Sequence, residues 1–410
     1  MKVLVIGGGP AGMAAACSAA FAGAGVILIE HNEKLGKKLF ITGKGRCNVT
    51  NTADKEDFFR NVVTNPSFLY SAYSEFDNAF VMDFFEKNGT SLKIERGGRV
   101  FPLTDKAVDI TKTFERIFSK YNVGLQFGTE AVRFNTEKDL IYSLATDKGD
   151  FTADAFILAT GGKSYSSTGS NGSGYLLAAS VGHNITPLRP SLCGIKTKQV
   201  YPLMGLTLKN VKVTFIDERG KKDTEFGELL FTHEGISGPT VLTLSAKHNK
   251  KDINGCKIEI DLKPALDNET LDARLLRDFS ENINKEYKNS LNALLPQSMI
   301  PVFVQLSGIR ENKRVNEITS AERKRIISLL KAFPLETESF CDFDTAVVTS
   351  GGVNVKEIYP KTMQSRIMKN LYFAGEIIDV DALTGGFNIQ IALTTGFTAG
   401  RAAAMQTSRC

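Results

Sequence analysis

The stretch from Met1 to Glu30 constrains the fold of this chain more than any other. An apolar run, Val3 to Ile6, leads into Gly7-x-Gly9-x-x-Gly12, then a run of small residues, a second apolar run from Val26 to Ile29, and Glu30. This order predicts strand, tight turn, helix and strand. Gly7 permits the turn, Gly9 lets backbone approach a pyrophosphate, and Gly12 lets the helix pack on the strand. Pro10 and Ala11 open the helix, whose free N–H groups and positive dipole end attract phosphate. Glu30 follows Gly12 by 18 residues, where an acid takes the two hydroxyls of an adenosine ribose. An acid there selects a free 2′-OH, so the expectation is FAD or NAD and not NADP. Residues 3–29 carry no charge and mimic an export signal or membrane span, but four glycines and a proline in their first half argue against an apolar helix.

The rest of the chain points to a nucleotide domain interrupted by an insertion. Buried-strand runs return at Phe156-Ile-Leu-Ala159, which enters Thr160-Gly161-Gly162, and at Asn370-Leu-Tyr-Phe-Ala-Gly-Glu376. A helix is expected over about Phe387 to Met405. A helical patch is expected over 67–88 and a β-rich part over 92–151, where apolar and polar residues alternate. The expected division is a discontinuous nucleotide domain, 1–189 and 345–410, with an inserted β-rich domain, 190–265, and a helical domain, 266–344.

Composition excludes several classes. The net charge of +5 is modest for 410 residues, and the basic clusters near Arg310 and Arg323 are interleaved with glutamates, so no nucleic-acid partner is expected. The six cysteines form no CxxC, and the four histidines are scattered, so neither a metal site nor a disulfide framework is expected. Reduced thiols suit a cytoplasmic protein.

The late strand, Gly385-Gly386 and the final helix favour FAD over NAD, because that helix can aim its N–H groups at a flavin pyrimidine. Ile41-Thr-Gly-Lys-Gly-Arg-Cys-Asn-Val-Thr-Asn51 is a second cofactor-facing block: two glycines and two cations suit a loop that crosses a phosphate or flavin edge, and Lys37, Lys38, Lys44 and Arg46 offset phosphate charge. Cys47 has no cysteine partner nearby, so it reads as a packed residue and not as half of a dithiol pair. Gly169-Ser-Asn-Gly-Ser-Gly174 has the wrong spacing for a second fingerprint. A nicotinamide donor must therefore visit the flavin transiently, in a ping-pong order. His233, in a glycine-rich loop, and Tyr165, in Gly-Gly-Lys-Ser-Tyr165, are the acid–base candidates. His183 reads as a cap or packing residue.

Together these motifs resemble the bacterial FAD-dependent oxidoreductases that include aminoacetone oxidases and the BaiN-like (YhiN-type) proteins. The resemblance spans nearly the whole chain. It rests on Gly7 to Gly12, Gly43 to Asn51, Ala159 to Tyr165, Leu230 to Pro239, Thr349 to Val353, Thr362 to Ser365, and Ala374 to Gln390. It implies a Rossmann-like FAD domain of the glutathione-reductase type, with an inserted β-barrel-like domain and a small helical domain. The implied contacts to non-covalent FAD are Gly7, Gly9, Pro10, Ala11, Gly12, Glu30, His31, Lys37, Lys38, Gly43, Gly45, Arg46, Cys47, Asn48, Val132, Ala159, Thr160, Gly161, Gly375, Glu376, Asp379, Gly386, Phe387, Asn388 and Ile389. Ser166, Ala382 and Phe387 stand where the family often has proline, glycine and tyrosine. The implied activity is NAD(P)H-dependent reduction of an unsaturated or carbonyl small molecule, steroid or bile-acid-like C=C bonds included. Gly351-Gly352-Val353 and Thr168-Gly169 also resemble fumarate-reductase-like flavoproteins. The alternatives are a peroxide-releasing amine oxidase and a flavin-binding sensor or RNA-associated protein. A monomer or homodimer is expected.

Overall fold

The computed structural model describes residues 1–199 and 202–405, the Lys44 side chain excepted. The expectation of a reduced Cys410 therefore falls outside the described residues. Two compact units emerge, one from Met1–Ser191 and Asp342–Cys410, the other from Leu192–Cys341.

The first unit is built on a five-stranded sheet in the order Leu371–Phe373, Ala155–Leu158, Lys2–Ile6, Gly25–Glu30, Gly124–Phe127. Every pairing is parallel. Val3 to Ile6 and Ala155 to Leu158 are all buried, as strands covered on both faces require. The chain leaves the first strand toward Gly25–Glu30 on one side and returns at Ala155–Leu158 on the other. That reversal is a topological switch point, where open α/β sheets form a ligand crevice.

Two helices cover the switch point. The first, Pro10–Phe21, buries every residue from Ala11 to Ala20. The closing helix, Phe387–Met405, has the expected bounds. They meet along a seam of small residues. A Cβ on Gly396 would lie 2.9 Å from the Ala14 Cβ, and one on Gly400 would lie 2.8 Å from the Ala15 carbonyl carbon. Glycine alone permits this approach. Ser18 Oγ also donates to the Phe397 carbonyl across the seam at 2.7 Å.

The expected β-rich part, 92–151, holds the antiparallel sheets but also a helix, Val108–Lys120, which interrupts it. Ile110, Phe114, Ile117 and Phe118 form its buried stripe at three- and four-residue steps.

The second unit contains a closed antiparallel barrel in the strand order Ile195–Thr197, Gly235–Ser237, Lys222–Phe231, Thr207–Ile216, Lys257–Asp261, Phe333–Phe340. Val211, Val213, Phe215, Leu229, Ile258 and Ile260 point inward and share one apolar cluster with Leu271, Leu275, Phe303 and Leu330 of the helices. One apolar cluster thus joins the barrel strands to the helices. The reason is topological: the sixth strand, Phe333–Phe340, follows the helices and returns to close the barrel.

Candidate cofactor site

The glycines of the fingerprint have different surroundings. Gly7 has φ +108°, and a Cβ there would lie 2.5 Å from the Ala159 carbonyl oxygen. A Cβ on Gly12 would collide with the Gly7 carbonyl. At Gly9 a Cβ would meet nothing within 4 Å. The protein is thus closed behind Gly7 and Gly12 and open in front of Gly9, at the N-terminus of the first helix.

Glu30 ends the second strand with its side chain almost fully buried. Its Oε2 accepts the Gly8 N–H at 2.6 Å, and its Oε1 accepts the Asn32 N–H at 2.8 Å and Asn32 Nδ2 at 2.8 Å. His31 Nδ1 lies 3.1 Å from the same Oε1. Burial on its own raises the carboxyl pKa, but the His31, Asn32 and Gly8 donors outweigh it and hold it below the usual range. Glu30 in turn raises the His31 imidazole above its usual range. Lys37 Nζ donates to Asn32 Oδ1 at 3.1 Å. The Gly128 and Thr129 N–H groups bond the Asn32 and Glu30 carbonyls, which brings the hairpin of exposed Val132 beside the acid. Asn32 Nδ2 also donates to the Thr168 carbonyl at 3.2 Å, fixing the loop after Tyr165 over this end of the crevice.

Ala159 and Thr160 follow the strand Ala155–Leu158. The Thr160 hydroxyl is buried and has no hydrogen-bond partner, an unmet need for a ligand atom or water. Beside it, Glu376 is a junction. Its Oε2 pairs with Lys38 Nζ at 2.9 Å, while its Oε1 accepts Ser164 Oγ at 2.9 Å and the Thr349 N–H at 2.8 Å. Four segments far apart in sequence converge on this carboxylate.

The second expected block forms a 3-10 turn, Lys37–Gly45, in which Gly43 and Gly45 adopt positive φ. Arg46 Nη1 bonds Glu95 at 2.8 Å and reaches Asp105 at 3.4 Å, and its guanidinium stacks over Phe101. Its charge is taken up by these acids. Cys47 is buried at φ +62°, and burial pushes its thiol up to about 12. It is therefore a neutral packing residue at physiological pH. Asn48 Oδ1 accepts the Val100 N–H at 3.2 Å.

The closing turn fits closely against this block. Gly386 has φ +102°, and a Cβ there would lie 2.6 Å from the Thr50 carbonyl carbon and 3.0 Å from Asn48 Oδ1. Asn388 Oδ1 accepts the Ala382 N–H at 2.9 Å, and its Nδ2 donates to the Ala382 carbonyl at 2.7 Å, stapling the turn. Phe387 is buried and meets Phe58 edge-on, while Ile389 is partly buried against the same core. Gly375 donates its N–H to Thr395 Oγ1 at 2.9 Å, and the Asp379 N–H bonds the Val353 carbonyl. Asp381 is fully buried and accepts from Ser191 Oγ and Ser350 Oγ.

Of the two acid–base candidates, Tyr165 stands in the first unit, half-buried at φ +54°, with Lys38 Nζ 6.0 Å from its ring. His233 is an exposed residue of the barrel unit, in the turn between Lys222–Phe231 and Gly235–Ser237. His183 packs inside, with Nε2 2.8 Å from Ser365 Oγ and Nδ1 3.2 Å from Glu357. Asn32, Ser164, Thr349 and Asp381 escaped the sequence reading. Only Thr349 had a signal, the adjoining Ser-Gly-Gly. Among the described residues, no three His, Cys, Asp or Glu side chains group as metal ligands, and no helix is long and apolar enough to cross a membrane.

Open space at Gly9, an ionised buried acid at Glu30 and an unmet hydroxyl at Thr160 fit an extended dinucleotide, with the closing turn at its far end. Fold and site together define the class, an FAD-dependent oxidoreductase. The sequence profile of the HI0933-like protein Rossmann domain matches residues 1–402, and the chain belongs to that family. It is 33% identical over 414 residues to the 3-dehydro-bile acid delta(4,6)-reductase of Clostridium scindens, covering 98% of this chain and 99% of that one. It is 30% identical over 409 residues to the ribosomal RNA dihydrouridine synthase of Escherichia coli, covering 96% of each. Its fold resembles that of 3-ketosteroid delta1-dehydrogenase from Sterolibacterium denitrificans, with a TM-score of 0.53, 11% identity and 99% of each chain covered.

Proposed function

We propose that the protein reduces a carbon–carbon double bond conjugated to a carbonyl, with electrons from NADH or NADPH, in the cytoplasm. The full-length similarity to a bile-acid reductase carries this reading, supported by the dinucleotide cradle. FAD bound in the cradle supplies the two-electron chemistry. The chain's residues do the rest. Glu30 receives the ribose hydroxyls, the helix N-terminus at Gly9 to Ala11 meets the pyrophosphate, and Thr160 donates its hydroxyl to the cofactor. The turn from Gly386 to Ile389 directs backbone N–H groups at the pyrimidine side, where they stabilise negative charge. Reduction adds hydride at the β-carbon of the enone and a proton at the α-carbon. Tyr165 supplies that proton in this reading, being the candidate in the same unit as the cradle.

Uracil contains the same bond type, and dihydrouridine differs from uridine by two hydrogens across it. The similarity to the RNA enzyme therefore supports a second reading, in which the conjugated bond belongs to a uridine in RNA. It runs against the expectation of no nucleic-acid partner, which rested on the modest net charge and the interleaved basic clusters.

The test is anaerobic incubation of the flavin-loaded protein with NADH or NADPH, followed by one of two substrates. These are a 3-oxo-Δ4 bile acid and an unmodified ribosomal RNA transcript. Flavin bleaching by the nucleotide and a product two hydrogens heavier are expected, with parallel initial-rate lines. No bleaching at millimolar nucleotide, or peroxide release from an amine panel instead, would sink the reductase reading.

A further inference from the structure

The hairpin Thr207–Ile216 and Lys222–Phe231 sorts its charges by face. Its inward positions pair Val213 with Glu225 and Phe215 with Asp223. Those acids are neutralised there: Glu225 by Lys247 at 2.6 Å, and Asp223 by His248 at 3.1 Å and Lys247 at 3.6 Å. At the turn, Asp217 is taken by Lys251 at 3.0 Å. The outward positions pair Lys212 with Phe226, Thr214 with Thr224, and Ile216 with Lys222. Lys212 and Lys222 are exposed and have no ion-pair partner among the described residues, and neither have Lys209, Arg219 and Lys221 around them. The hairpin thus pairs two acids inward and one at its turn, and leaves Lys212 and Lys222 without an ion-pair partner outward. Four acids share this side, and Asp261 stands opposite Lys212 on the third strand. Glu218 and Glu228 are exposed, and the third strand adds Glu259 and Asp261, the latter taken by Lys331 at 2.6 Å.

Phe226 is the second element. It is 65% exposed at the middle of a strand, with Lys212 opposite and Thr224 and Glu228 two residues to either side on the same face. Cross-strand pairing puts the Lys212 Cβ about 5 Å from that of Phe226. Lys222 stands four residues along the strand, about 13 Å away. A flat ring bare to solvent, flanked by unpaired ammonium groups on a β-surface, matches a stacked base with neighbouring phosphates. An apolar partner would leave the lysines unpaired and desolvated. A duplex hides its bases from the ring.

We propose that this outer hairpin face docks single-stranded RNA, a base stacking on Phe226 and phosphates meeting Lys212 and Lys222. The choice of RNA rests on the second reading above; the surface itself does not.

The experiment uses the full-length, flavin-loaded protein and a fluorescein-labelled unstructured RNA 12-mer, read by anisotropy across a salt series. A DNA of the same sequence and an RNA duplex are the comparison arms. RNA is expected to bind more tightly than either. Phe226→Ala is expected to weaken binding about 5- to 100-fold, and Phe226→Tyr to restore most of it. Lys212→Glu with Lys222→Glu is expected to lower the slope of log affinity against log salt by about 1.4. Flavin absorbance and circular dichroism identify any variant that fails to fold, and Lys212→Gln with Lys222→Gln then replaces the glutamates. No RNA binding by the parent in 50 mM salt, equal binding of duplex or DNA, or unchanged binding by Phe226→Ala would overturn the proposal. The failures stay separate: a parent that binds RNA but reduces nothing refutes the reductase reading alone.

Discussion

Replacing Gly400 with alanine adds one methyl group where the two cofactor-facing helices touch. That Cβ would stand 2.8 Å from the Ala15 carbonyl carbon and 2.9 Å from its Cα. Carbon contacts settle near 3.5–4.0 Å, so the helices must part by about 1 Å. The obstructing atoms are backbone, so no rotamer change relieves them. Overpacking of this kind costs about 1–3 kcal/mol, and alanine returns about 1 kcal/mol through helix propensity. The net loss is about 0–2 kcal/mol, or a Tm lower by up to about 8 °C for a unit of this size. The first helix also begins at the fingerprint, so parting it displaces the phosphate-facing N–H groups. Losing one charge-assisted hydrogen bond of about 1.5 kcal/mol weakens FAD about tenfold. Thermal scans of stripped and FAD-saturated protein, with a flavin fluorescence titration, measure both effects. A Gly400→Ala protein with unchanged Tm and unchanged FAD affinity would refute the seam argument.

Other outcomes follow from the site. Glu30→Gln removes the charge that Gly8, Asn32 and His31 surround, and is expected to weaken FAD about 10- to 100-fold by calorimetry; equal affinity would remove Glu30 from the cradle. Cys47→Ala is expected to retain reductase activity, and the native Cys47 thiol, held near 12 by burial, is expected to resist a thiol reagent at pH 8 until the protein unfolds. His183 is depressed by burial, with Glu357 opposing. Its folded pKa lies below the unfolded one, so its contribution is complete above about pH 6.5 and is lost as pH falls through the folded value. In urea titrations from pH 8 to 5 the stability advantage over His183→Gln should therefore be present at pH 8 and shrink toward the acid end; an advantage independent of pH contradicts the assignment.

Much of the cradle was legible in sequence because its constraints are local. Gly12, which must leave room for the Gly7 carbonyl, stands only five residues from its cause. The closing helix was legible to the residue because Gly385-Gly386 marks its start. The helix Val108–Lys120 was missed because Thr111 and Thr113 interrupt its stripe with strand-prone residues, inside a stretch of real strands. The barrel's last strand was read as helical territory. Pro334 argues against an interior strand, yet it pairs opposite Glu259. The Lys38–Glu376 pair spans 338 residues and has no local signature at either end. Arg46, counted as a phosphate-side cation, turned to Glu95 and Asp105, acids that no spacing rule connects to it.

The sheet order also has a timetable. The strand Leu371–Phe373 and the helix Phe387–Met405 leave the ribosome long after the first helix, yet they complete what it begins. At about 5–20 residues per second, the small-residue flank of Pro10–Phe21 waits roughly 20–80 s for its partner. A prematurely terminated chain keeps the fingerprint and Glu30 but never receives its lid. Yellow colour in a preparation therefore reports chains that have been made at least as far as the closing helix.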